Sequence, residues 1–124
     1  MYVVSESAER TTRTPAGAMF GLAGPSSGST EVATWRVEIG AGASTPEHII
    51  DREQVWTLLS GEFEALVDGE TAAVQAGQAV VLPAGAVRRL TAVGGPAQAL
   101  CAMPVGGKAI IPGGTDKLPL PWAE

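Results

Sequence analysis

Histidine and cysteine occur once each in this chain, aromatic residues make up 5 %, and lysine and arginine together number only eight. Each scarcity removes a class of answer. A lone cysteine forms no intrachain disulfide. The apolar neighbours of Cys101, Leu100 and Ala102, read as the setting of a buried thiol, since no base lies beside it to make a thiolate nucleophile. Thirteen acidic residues against those eight leave a net charge of −5, the wrong sign for a nucleic-acid face. No apolar run approaches the roughly 18 residues of a membrane-spanning helix. The start, MYVVSESAER, lacks the charged-then-apolar layout of a signal peptide. Neither nucleic acid nor membrane is therefore expected as a partner, and a cytoplasmic location is the expectation. Nor does any stretch sustain an apolar period of about 3.6 residues between helix caps.

What is abundant points elsewhere. Sixteen glycines and nine prolines stand beside 45 % apolar residues, a mixture suited to short strands joined by tight turns. Over 31–39 the side chains of Ala33, Trp35, Val37 and Ile39 alternate with Thr34, Arg36 and Glu38, as in a half-buried strand. Residues 54–59 are apolar on both faces, which suits a wall that meets a second layer. Asp68-Gly69 sits between 62–67 and 71–75 as a two-residue hairpin signal. Further strands are expected over 79–82, 87–93 and 97–105, at the turn spacing of a β-sandwich or barrel. Tyr2-Val3-Val4 is a candidate short strand, 5–14 is polar and expected to be loose or partner-dependent, and 24–30 reads as a turn-rich loop. The prolines of the last residues deny that tail a central strand, and Trp122 is expected to anchor it. The expected fold class is all-β, as a single domain over 1–124 with its core at about 31–105.

Two stretches say more: Gly42 to Gly61, GASTPEHIIDREQVWTLLSG, and Gly77 to Ala92, GQAVVLPAGAVRRLTA. Together they resemble the two motifs of the cupin family. Gly42, His48, Gln54 and Gly61 fall on the spacing of the first, with Ile50 at its second histidine and Gln54 at its glutamate. Gly77, Pro83 and Gly85 fall on the second, with Arg88 at its histidine and Ala92 at its asparagine. The resemblance implies a jelly-roll β-barrel, often a homodimer, with these positions turned inward. In metal-binding cupins three histidines and the glutamate hold a divalent ion. Here Ile50 offers no lone pair and Arg88 brings a permanent positive charge, so no metal and no other cofactor is expected. An altered ligand set would have to recruit Glu47, Asp51 or Glu53.

The candidate site follows. His48 is the acid–base candidate, since its ordinary pKa lies near neutrality; the plain alternative is a histidine satisfied inside the barrel. Arg88 is the second catalytic candidate and a ligand contact, forking onto an anion; its alternatives are an ion pair with an acid such as Glu38, or an outward course like Arg89. Gln54, Trp56 and Ile50 are the remaining substrate-binding candidates, with core packing as the competing reading. Trp35 and Trp122 read as structural. The expected partner is a small-molecule ligand. Three functions stand open: a metal-independent isomerase, cyclase or dehydratase for a small anionic or carbonyl substrate; a non-catalytic binder or sensor; and a metal-dependent oxygenase with altered ligands.

Overall fold

The computed structural model describes residues 1–124. Twelve strands follow one another: β1 (Thr11–Thr14), β2 (Gly17–Gly21), β3 (Val32–Ile39), β4 (His48–Ile50), β5 (Gln54–Ser60), β6 (Glu62–Val67), β7 (Glu70–Gln75), β8 (Ala79–Leu82), β9 (Val87–Ala92), β10 (Ala97–Pro104), β11 (Lys108–Ile110) and β12 (Lys117–Pro119). They form two antiparallel six-stranded sheets, ordered β1-β2-β3-β10-β5-β8 and β12-β11-β4-β9-β6-β7. Consecutive strands thus repeatedly change sheet, and the chain closes into a jelly roll around one interior.

Alternation decides which side chains fill that interior. In β3 it buries Ala33, Trp35, Val37 and Ile39 and turns Thr34, Arg36 and Glu38 outward. The same rule aims Gln54, Trp56 and Leu58 of β5 inward, and Arg88, Leu90 and Ala92 of β9. Phe63 and Ala65 of β6 join Ala99, Cys101 and Met103 of β10 in the same buried cluster. Cys101 is wholly buried, and burial pushes its thiol well above the usual range. The hairpin at Asp68-Gly69 is present, with both residues in the left-handed region at φ 48° and 84°.

The chain before β2 departs from expectation. Residues 11–14 are not loose: they pair with β2 from Thr11↔Phe20 to Thr14↔Gly17. Their threonines are β-branched, and strand preference outweighed polarity at this sheet edge. Tyr2-Val3-Val4 forms no strand. This N-terminal arm instead lies over the outer face of the first sheet, where both carboxylate oxygens of Glu6 accept from Arg36, at 2.6 and 2.8 Å. At the other end Leu120 and Ala123 are buried, and half-buried Trp122 packs on the core. Proline-bearing β12 lies at the edge of its sheet, where a missing donor costs no ladder bond.

Candidate functional site

The site begins at the turn between β8 and β9. Pro83-Ala84-Gly85-Ala86 is closed by the Ala86 amide on the Pro83 carbonyl, with Gly85 at φ 81° and its amide on Ile50 O of β4. Two carbonyls of this turn face the side chain that follows. Arg88 is 1 % exposed and donates its Nε to Ala86 O at 2.9 Å, one Nη to Pro83 O, and the other to Gln54 Oε1 at 3.3 Å. Three of its five N–H groups are thereby engaged, which leaves two without a protein acceptor. No carboxylate touches it. Burial pushes its pKa down to about 10, and Asp68 is the charge that offsets this.

Antiparallel pairing sets His48 of β4 directly opposite Arg88 of β9, so both side chains share the inner face. The preceding segment is fastened along β9. Thr45 exchanges bonds with Leu90 through its amide and Oγ1, and Ser44 shares a hydroxyl bond of 2.6 Å with Thr91. That fixes the Pro46 carbonyl, which accepts from His48 Nδ1 at 2.7 Å. In the neutral ring the proton therefore sits on Nδ1, and Nε2 keeps its lone pair. Burial holds the pKa of His48 below its ordinary value; the Pro46 bond opposes this, and the Arg88 charge adds to it.

Beneath this pair lies a floor. Gln54 is 3 % exposed; its Oε1 accepts from Trp56 Nε1 at 3.3 Å as well as from Arg88, and its Nε2 donates to Met103 Sδ at 3.5 Å. Trp56 meets Phe63 edge-on at 5.9 Å. Ile50, 1 % exposed, completes the apolar side. All five sequence candidates thus point inward, with half-buried His48 the most open of them. Arg88 does not turn out like Arg89.

The acids fall elsewhere. Glu38 is not the partner of Arg88: it faces outward and binds Arg36, because β3 alternation buries the odd-numbered side chains. Exposed Glu47 lies 4.0 Å from Arg89, while Asp51 accepts from the Lys108 amide and from Lys117. No three His, Cys, Asp or Glu side chains gather as a metal cluster. A shallow depression of about 520 Å³ lies away from the site, between Arg13, Glu38 and Gln98. It collects no buried cation or imidazole. Sequence reading missed the carbonyls of Pro46, Pro83 and Ala86 and the sulfur of Met103. The one available signal was the prolines bracketing the site, which fix turns and hence carbonyl directions.

Two six-stranded sheets around a buried polar cluster, built from two glycine- and proline-punctuated segments, define a jelly-roll barrel of the cupin type. The chain belongs to the cupin family, whose Cupin domain model matches residues 35–103. Among curated protein sequences nothing matches it. Among solved structures it is similar to KdgF from Halomonas sp., at 18 % identity and a TM-score of 0.67 over 76 % of this chain and 84 % of that one. It is similar to the polyketide cyclase RemF from Streptomyces resistomycificus, at 21 % identity and 0.68 over 82 % and 73 %. A third is an RmlC-like cupin from Shewanella frigidimarina, at 20 % and 0.64 over 82 % and 92 %. At these identities the likeness concerns the fold.

Proposed function

We propose that the barrel mouth binds a small anionic or carbonyl-containing molecule and moves a proton on it without a metal, as an isomerase, cyclase or dehydratase. The observation that carries this is the pairing of His48 with Arg88. A neutral imidazole presents the lone pair of Nε2 beside a buried guanidinium that no carboxylate neutralises. Nε2 takes a proton from carbon next to a carbonyl, and the electron pair moves onto the carbonyl oxygen. The spare N–H groups of Arg88 hold that oxygen as it gains charge. The proton then returns at another carbon, or the enolate carbon attacks a second carbonyl, or a β-hydroxyl leaves as water. The name of RemF, a polyketide cyclase of the same fold, supports the cyclase branch.

The donor set does not fit the family's divalent ion. One imidazole remains, Ile50 has no donor, and Gln54 Oε1 already accepts from two protein groups. A non-catalytic ligand binder is the second reading, favoured by the engagement of both polar atoms of the Gln54 amide by protein groups. The two separate in deuterium oxide. Metal-stripped protein with a panel of small enolisable keto acids should exchange a carbon-bound proton. His48→Ala should abolish exchange while binding persists. Binding without exchange in the unsubstituted protein would leave the binder reading standing alone.

A homodimer belongs to the same proposal. On the outer face of the first sheet, Val55, Thr57, Val81 and Ala102 adjoin Leu100, with no charged side chain among them. A second copy of this chain is the occupant such a face suits.

A further inference from the structure

We propose that the Arg88 guanidinium is a resident cation: it occupies the interior place that the cupin motifs give to a divalent ion, ties β9 to β5 and to the turn after β8, and excludes any ion from the barrel. The inference stands apart from the catalytic reading, since it concerns what organises the interior whether or not a substrate is turned over.

Three observations converge. The first is position. Arg88 lies opposite His48 in register, and its Nη1 is 3.3 Å from Gln54 Oε1, the oxygen at the motif's carboxylate position. The second is connection. Gln54 lies in β5 of one sheet and Arg88 in β9 of the other, with Pro83 and Ala86 in the turn after β8. One planar cation therefore links both sheets and the turn, with oxygen acceptors on several sides, as a metal links its ligands. The third is charge. The groups facing the guanidinium are neutral His48, the amide of Gln54 and backbone carbonyls, with Asp68 the acid that acts on it. No carboxylate is in contact with it, so a divalent ion beside it would meet repulsion at a few ångströms.

Four proteins test this: the unsubstituted chain, Ile50→His, Arg88→His, and Ile50→His with Arg88→His. Each is loaded with cobalt(II) or zinc(II), desalted, and examined by elemental analysis, cobalt absorbance and thermal unfolding. The double variant offers three imidazoles, a set that zinc accepts, and should retain about one equivalent with a raised Tm. The unsubstituted chain and Ile50→His should retain under about a tenth of an equivalent, because the second gains a donor but keeps the cation. That comparison is decisive. Equal retention by Ile50→His and the double variant would overturn the proposal, as would a folded double variant that takes up no ion. Should the double variant not fold even with zinc, Arg88→His, which keeps the Ile50 packing, decides: retention above that of Ile50→His supports the proposal, and equal retention overturns it. Fold recovered by zinc and not by magnesium would count as support.

Discussion

At the residue scale the site rests on one side chain doing two things. Arg88 satisfies Pro83 O, Ala86 O and Gln54 Oε1 and still has N–H groups to spare. Arg88→Met takes a donor from all three and leaves Ala86 O with none, since Pro83 O keeps the Ala86 amide and Gln54 Oε1 keeps Trp56, so a loss of about 1–3 kcal/mol in denaturant unfolding is expected. Arg88→Lys should lose less and recover ligand binding only in part, because an ammonium lacks the planar fork. His48 carries a pH signature of its own. Its folded pKa lies below the free value of 6.5, so the unfolded chain takes the proton first. Stability should hold above pH 6.5 and decline as pH falls from there toward the folded value. His48→Gln should remove that decline. Glu6 and Asp51, whose values are lowered from 4.5 and 3.8, act only at more acid pH, which keeps the windows apart. The identity of these residues was legible from motif spacing, whereas the inward course of Arg88 stayed open in the sequence beside an outward one. The wrong partner for Arg88 came from setting alternation aside: Glu38 shares parity with Thr34 and Arg36, and that already put it outside.

At the element scale, the turn between β6 and β7 steadies the strand that carries Arg88. Asp68 Oδ1 accepts from the Val87 amide at 2.9 Å, and the Asp68 amide donates to Val87 O. Its φ of 48° is tolerated by aspartate and asparagine but strains a β-branched residue. Asp68→Asn should therefore shift stability by under about 0.5 kcal/mol, while Asp68→Val should cost about 2 kcal/mol. Chemical denaturation of both variants measures the difference. Most strands were legible because their side chains alternate or are bounded by glycine and proline. β1 was not, since TTRT carries no apolar side chain, and its strand character depends on β2 lying beside it. The carbonyls of Pro46, Pro83 and Ala86 were illegible for another reason. Every residue has a carbonyl, and only the folded turn decides where it points.

At the scale of the whole molecule, burial leaves one wall of the barrel bare. The N-terminal arm covers the outer face near β3 through Glu6 and Arg36, and Leu100 is the cross-strand neighbour of Arg36. From there across β10, β5 and β8 the surface carries no charge, with Leu100, Leu59 and Val81 exposed at 40 %, 51 % and 55 %. The expectation is a dimer mass by light scattering, reduced to a monomer mass by Leu100→Glu with Val81→Glu, with the fold retained by circular dichroism. A monomer mass for the unsubstituted chain at every concentration would end the dimer proposal. Apolar residues on both faces of 54–59 made this wall legible in the sequence, whereas the arm that shields its other half was read as loose or partner-dependent.

The central claim is a neutral base held beside a fixed cation, and a single histidine makes it directly measurable. In protein labelled with nitrogen-15 at histidine and stripped of metal, every imidazole signal belongs to His48. At pH 7 the spectrum should show a protonated Nδ1 and an unprotonated Nε2. The pKa should lie below 6.5 and rise when Arg88 becomes methionine. An imidazolium at pH 7, or the opposite tautomer, would contradict the site as described.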